Sequence, residues 1–277
     1  MDKVWLVTGA SSGFGRAITE AAVAAGDIVV AAARRTALLD DLVAAHPGQV
    51  EALPLDVTDI AAAQAAVDGV AARHGRIDVL VNNAGRGMVG AVEETTDAEL
   101  RELMDLHFFG PAALTRAALP HMRRQGSGAI VQLSSMGGRL AFAGVGAYCA
   151  GKFALEGLSE ALAAEVAPHG IRVLIVEPGA FRTGFADAAA LRPPAAMDAY
   201  QDTVGPLLSA LPGGSGREPG DPAKAAAAVL TALEADEPPL RLPLGNDAAD
   251  AITGHLDRAR TELGTWEKLA RSTDFDG

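Results

Sequence analysis

Residues 3 to 15 read Lys3-Val4-Trp5-Leu6-Val7-Thr8-Gly9-Ala10-Ser11-Ser12-Gly13-Phe14-Gly15, an apolar run that breaks into a glycine-rich turn and continues as a helix. Lys3 to Thr8 is nearly uniformly apolar, as a strand covered on both faces must be. In the turn, Gly9 suits the positive φ of a tight reversal, Gly13 lets a diphosphate approach the backbone, and Gly15 permits close packing of helix on strand. The free N–H groups at the helix start then face an anion. Three glycines and two serines directly after the first strand point to a dinucleotide cradle more than to an ordinary connection.

Outward from this turn, short β-branched or aliphatic runs alternate with alanine-rich stretches, the pattern of repeated βα units. Further strands are predicted at Ile28 to Ala33, Val50 to Leu55, Val79 to Asn82, Ala129 to Leu133 and Arg172 to Glu177. Helices are predicted at Gly13 to Ala25, Ala37 to Ala45, Asp59 to His74, Asp97 to Gln125 and Ala147 to Val166. Right-handed crossovers turn these into one doubly wound, mostly parallel α/β sheet with helices on both faces. After Pro178 the regularity weakens, and the Ala-, Pro- and Gly-rich segment 184–215, with isolated Phe185, Leu191, Met197 and Tyr200, reads as a substrate lid. A helix from Asp221 to Ala235, a short strand at Leu240 to Pro243 and a helical extension over 246–277 complete a single domain spanning 1–277.

With 49% hydrophobic and 21% charged residues, the 277-residue chain has ample material for a core. Its formal net charge of -12 repels phosphate backbones and anionic lipid, so neither nucleic acid nor membrane is an expected partner. No apolar run approaches the roughly 20 residues needed to cross a bilayer. The single Cys149 cannot form an internal disulfide, and a cytoplasmic location is expected. His46, His74, His121, His169 and His255 are scattered without metal-ligand spacing, so no metal is expected.

The turn has the spacing TGxxxGxG, and further motifs follow in order: Asp56-Val57, Asn82-Asn83-Ala84-Gly85, Ser135 thirteen residues before Tyr148, the YxxxK motif Tyr148 to Lys152, and Pro178-Gly179 with Thr183. In these the chain resembles the short-chain dehydrogenase/reductase family, and among its members the bacterial ketoreductases and hydroxysteroid dehydrogenases. The resemblance implies a Rossmann-like fold. It also implies cofactor contacts from Gly9, Ser11, Ser12, Gly13, Phe14, Gly15, Asp56, Val57, Asn82, Ala84 and Gly85, with Pro178, Gly179 and Thr183 at the nicotinamide carboxamide. Ser135, Tyr148 and Lys152 would be the catalytic residues, and Tyr148 and Lys152 would also contact the cofactor, Lys152 bonding the nicotinamide ribose. Where the family carries an asparagine holding a relay water, this chain has His107. An imidazole there either holds the water, titrates within the relay, or is a satisfied core residue.

Selection of NAD usually needs a carboxylate at the end of the second strand. Here Ala33 stands there, followed by Arg34 and Arg35, whose guanidinium groups suit a 2′-phosphate. NADP(H) is expected, with NAD(H) as the alternative. Hydride transfer to a carbonyl leaves alkoxide character on oxygen, so a proton donor is needed. A tyrosine of pKa about 10 must be made more acidic, and Lys152, four residues on along a helix, would supply the charge that does it.

The expected substrate is a small carbonyl compound or alcohol, mainly apolar because Met88, Met136, Phe142, Phe181 and the 184–215 lid are predicted to wall its pocket, with Arg86, Arg139 and Arg182 at the rim to read an acidic tail. Cys149 is read as a small helix residue beside the site, without chemistry of its own. The helices at 97–125 and 147–166 resemble those of the family's dimers, although their apolar stripes suit packing within one chain equally well. Two rivals stand beside the reductase: an epimerase or dehydratase, for whose longer substrate domain the chain has little room, and an NADP(H)-binding sensor or interaction protein without turnover.

Overall fold

In the computed structural model, which describes residues 2–185, 195–214 and 216–275, seven parallel strands form one sheet in the order β3-β2-β1-β4-β5-β6-β7. They are β1 Val4–Thr8, β2 Ile28–Ala33, β3 Val50–Pro54, β4 Val79–Asn82, β5 Gly128–Leu133, β6 Ile171–Pro178 and β7 Arg241–Leu244. The helices are α1 Gly13–Ala24, α2 Asp40–Ala45, α3 Ile60–His74, α4 Asp97–Met104, α5 Gly110–Gln125, α6 Gly146–Val166, α7 Gly205–Gly214, α8 Pro222–Glu234 and α9 Asn246–Arg271. Alternate residues of each strand supply opposite faces. Val4 and Leu6 of β1 join Leu80, Ile130 and Ile175 in a core under α3, α5 and α6, while Trp5 and Val7 join Val29, Val131 and Leu174 in a second core under α1 and α8. The sheet is therefore buried on both sides, which is why its strands show no polar alternation.

Strand order reverses between β1 and β4. A crevice opens outside the carboxyl ends of strands at such a point, and the glycine turn after β1, the Asn82-Asn83 step after β4, Ser135 after β5 and Pro178 ending β6 all lie on that edge.

The structure departs from the sequence reading in two elements. The helix expected from Asp97 to Gln125 is interrupted by a π turn over Asp105–Phe109. Such a turn adds a residue per repeat and re-aims the side chains it holds. His107 is thereby turned inward and buried, and Gly110 follows because a Cβ there would stand 2.5 Å from the Val57 carbonyl oxygen. The segment read as an irregular lid carries a 3₁₀ turn at Asp198–Tyr200 and the helix α7, which Pro206 helps to start. Val204 packs there on Val89 and Ala91. Residues 186–194 and 215 of that lid, Leu191 among them, lie outside the described residues. In the C-terminal extension every residue from Leu256 to Phe275 is exposed. No helix among the described residues is long and apolar enough to cross a membrane.

Candidate active site

The cradle is built from below by hydrogen bonds to the first strand. Thr8 Oγ1 donates to the Val81 carbonyl and accepts from the N–H groups of Asn83 and Ala84 at 2.9 and 3.1 Å. Asn83 Nδ2 donates to the carbonyls of Thr8 and Gly9 at 2.8 and 3.2 Å, tying the β4 end to the turn. Gly9 has φ 63° and Gly13 φ 54°, a region that costs glycine nothing. A Cβ on Gly15 would stand 2.3 Å from the Gly9 carbonyl oxygen, and one on Gly13 would stand 3.0 Å from Thr183 Cβ. Thr183 and the opening turn thus meet across the crevice, as the motif order implies. Ser12 caps α1 without a side-chain bond and no acidic residue stands in the first turn, so the helix start presents N–H groups and positive dipole to an anion. A dinucleotide diphosphate fits this arrangement, with Ser11 and Phe14 flanking it in the turn.

Arg34 and Arg35 are exposed just past β2. Asp56 lies nearby. Burial raises its carboxyl, but bonds from the Thr58 backbone and hydroxyl and the charge of Arg34 outweigh that and hold it below the ordinary value. Val57 is buried in the core, so its backbone alone is left for a ligand. Asn82, expected at the cofactor, is turned the other way: Nδ2 donates to Thr115 Oγ1 at 3.2 Å and Gln132 Oε1 at 3.0 Å in the interior. The asparagine that reaches the cradle is Asn83. Pro178 and Gly179 are pinned by Asp247 at the start of α9, whose Oδ2 accepts from the Ala180 N–H at 2.7 Å, and a Cβ on Gly179 would meet that carboxylate at 2.2 Å.

Ser135, Tyr148 and Lys152 converge on the same edge. Ser135 has extended backbone at the start of a 3₁₀ turn, its Oγ accepting from the Gly137 N–H at 3.0 Å, and its side chain acts on the Tyr148 phenol, favouring the ionised form. Lys152, one helical turn from Tyr148 on α6, places Nζ 5.8 Å from the phenol ring centre. Burial pushes the Tyr148 phenol up to about 12, opposed by the Ser135 bond, so it is neutral. This is opposite to the lowering expected from Lys152. The ammonium is directed at the Leu133 carbonyl, 2.6 Å away, and burial pulls it down to about 7.

His107 meets the Tyr148 ring edge-on, with centroids 5.3 Å apart and planes at 89°. Its Nε2–H donates to the Arg86 carbonyl at 2.8 Å, and its buried Nδ1 has no hydrogen-bond partner among the described residues. Burial and the charge of Lys152 hold it well below the usual imidazole value, which favours a neutral ring. A Cβ on Gly85 would lie 2.9 Å from its Cε1, and one on Gly151 3.1 Å from its Cβ, so both glycines make room for the ring. His107→Asn is expected to change kcat less than tenfold and to leave the limbs of the pH–rate profile in place, measured from pH 5 to 10. A displaced limb would show that the imidazole titrates.

The pocket walls differ from expectation. Phe181 is buried against Phe14, ring centres 5.0 Å apart, and does not line an opening. The ring over the phenol is Phe185, 5.4 Å from Tyr148 and 39% exposed, a residue of the lid expected to help wall the pocket. Met88 is buried, and Met136 and Phe142 remain accessible. The three arginines expected at the rim are engaged: Arg86 with Glu102 at 2.9 Å, Arg139 with the buried Glu177 at 3.2 Å, and Arg182 with the Glu218 carbonyl at 2.7 Å. Cys149 is buried and its thiol is pushed up by burial, in keeping with a packing role. Among the described residues no group of His, Cys, Asp and Glu is arranged to hold a metal.

Residues 3–192 match a family model described as short chain dehydrogenase. The chain is 41% identical over 252 residues to the oxidoreductase BOA17 of Botryotinia fuckeliana, covering 90% of this chain and 91% of that protein. A solved short-chain dehydrogenase from Streptomyces avermitilis is 60% identical and superposes with a TM-score of 0.94, covering 99% of this chain and 100% of the other. A metagenomic short-chain oxidoreductase solved in complex with NADP is 38% identical with a TM-score of 0.61, covering 65% of this chain and 83% of its own.

Proposed function

The chain belongs to the short-chain dehydrogenase family, and from that premise we propose that it is an NADP(H)-dependent oxidoreductase interconverting the carbonyl and secondary alcohol of a mainly apolar small molecule, with Tyr148 exchanging the proton. The reading rests on one observation above the others: Ser135, Tyr148 and Lys152 converge beside the glycine cradle, with Lys152 Nζ 5.8 Å from the phenol ring centre. The turn from Gly9 to Gly15 would hold the diphosphate, Arg34 and Arg35 the 2′-phosphate, and Pro178, Gly179 and Thr183 the nicotinamide end. NADP(H) bound there would supply or accept the hydride. The metagenomic relative solved with NADP supports the choice of cofactor.

In the reductive direction Tyr148 donates its proton to the substrate oxygen as negative charge gathers there. A phenol kept neutral by burial is in the right state to do so at neutral pH. The Ser135 hydroxyl hydrogen-bonds the same oxygen, and the Lys152 ammonium stabilises the phenolate left behind. In oxidation each role reverses. In the resting site burial outweighs any gain in the phenol's acidity, and the Lys152 cation acts once negative charge has formed on the phenol oxygen.

Phe185, tilted 59° over the phenol, and the accessible Met136 and Phe142 make the approach apolar. With Arg86, Arg139 and Arg182 engaged elsewhere, a neutral ketone is favoured over an acid. Phe185→Ala is expected to raise KM about three- to tenfold for an apolar ketone with kcat little changed, read from steady-state kinetics.

Absorbance of the reduced nicotinamide band over a panel of apolar ketones tests the proposal. Net oxidation of NADPH is expected. Tight NADPH binding with no oxidation across the panel would replace it with a nucleotide-binding protein that does not turn over.

A further inference from the structure

We propose that Glu156 is a positioning residue that sustains the positive charge of Lys152 from one helical turn away, its carboxylate held in place by Ser134 and Arg241. The inference rests on the reading of Lys152 as the site's cation.

Lys152 and Glu156 are 5% and 4% exposed and stand four residues apart on α6, hence on one face. Glu156 Oε1 accepts from Ser134 Oγ at 2.6 Å and Oε2 from Arg241 Nε at 3.1 Å. The Ser134 N–H donates to the Val176 carbonyl at 2.9 Å, so the hydroxyl that grips the carboxylate is itself anchored to β6. Gly138 makes the approach possible: a Cβ there would lie 2.4 Å from Ser134 Oγ and 2.7 Å from Glu156 Oε1. The site is shaped around this carboxylate.

The charges around Lys152 leave Glu156 with little competition. From its own helix it faces the neutral phenol of Tyr148, from the π turn the neutral imidazole of His107, and from β5 the carbonyl of Leu133. Glu156 is the group whose charge works against the loss of its proton by burial. Around Glu156 itself, Arg241 is shared with Glu160 at 3.0 Å and Glu177 at 3.3 Å, and Arg139 pairs with Glu177 at 3.2 Å. Two guanidinium groups thus serve three carboxylates. Burial first, and then the charge of Glu156, push Glu177 up to about 7 against the pull of Arg139 and Arg241. A buried carboxylate incompletely neutralised by its own partners still acts on the next cation along the helix.

The chain has four lysines, Lys3, Lys152, Lys224 and Lys268, and Lys152 alone is buried. NMR titration of the full chain labelled with ¹³C at lysine Cε therefore reads its ammonium against three internal references that are not buried. In Glu156→Gln, which keeps an acceptor for Ser134 but loses the charge, the Lys152 midpoint is expected to fall by about one pH unit. In Glu165→Gln, an exposed charge further along the helix, it is expected to stay in place. An unmoved midpoint in folded Glu156→Gln overturns the inference. Should that variant not fold, Arg241→Gln removes a cation from the carboxylate and is expected to move the midpoint upward, and no movement or a fall overturns the inference equally. The signal is read without substrate: a shift in a protein that never turns over would sink the proposed function alone, and turnover without a shift would sink this inference alone.

Discussion

Tyr148→Phe is expected to lower kcat about a thousandfold while the Kd for NADPH stays within about twofold, the range a lost general acid commands when the rest of the site survives. The ring is what packs: it meets His107 edge-on at 5.3 Å and Phe185 at 5.4 Å, and phenylalanine preserves both contacts. Only the hydroxyl is lost. In the proposed site the glycine turn and the start of α1 hold the diphosphate, so affinity for the cofactor depends little on that hydroxyl. Steady-state turnover and fluorescence titration of NADPH on the same preparation separate the two effects. Turnover within tenfold of the parent would remove Tyr148 from the chemistry.

Arg34→Asp is expected to weaken NADPH at least tenfold, about 1.4 kcal/mol, while leaving NADH nearly unchanged. The substitution does more than remove a cation. It puts a carboxylate beside the 2′-phosphate, at the strand end where a carboxylate would instead favour the free ribose hydroxyls of NADH. Arg34 is exposed, and its charge on Asp56 is a modest effect across solvent, so the fold does not depend on it. Equal losses for both cofactors would show that Arg34 serves the backbone of the nucleotide, without selecting between them.

The parts of this account legible in the sequence are those fixed by local chemistry. Strands such as Ile28 to Ala33 and Val79 to Asn82 are bounded correctly because they are buried on both faces, which leaves an unbroken apolar run ended by polar residues or glycine. The turn from Gly9 to Gly15 is legible because no other residue tolerates its conformation and its contacts. The four-residue spacing of Tyr148 and Lys152 sets them on one helix face whatever surrounds them.

What was hidden depends on distant contacts. The π turn at Asp105–Phe109 leaves the apolar periodicity of the flanking helices intact, and the one trace of it is Gly110, forced by the Val57 carbonyl. Asn82 and Asn83 are chemically identical, and consecutive residues at a strand end point to opposite sides, so the motif could not say which one faces the crevice. Phe181 leaves its expected place in the pocket wall because its bridge to Gly220 closes the ring against Phe14, and Phe185 of the lid is the ring that meets Tyr148. Glu156 and Glu177 read as ordinary charges in the sequence. Their burial follows from Arg139 and Arg241, which arrive from a loop and a seventh strand far away along the chain. The direction of Lys152 toward the Leu133 carbonyl, and the resulting neutral phenol, are likewise products of burial that spacing does not report.

Incubation with NADPH carrying two deuterium atoms at nicotinamide C4, followed by mass and NMR analysis of the alcohol formed from an apolar ketone, follows the hydride itself, whichever face of the ring delivers it. Deuterium is expected on the carbinol carbon of the product. Alcohol without label at that carbon, or bound deuterated cofactor with no alcohol formed from any ketone tried, would contradict it.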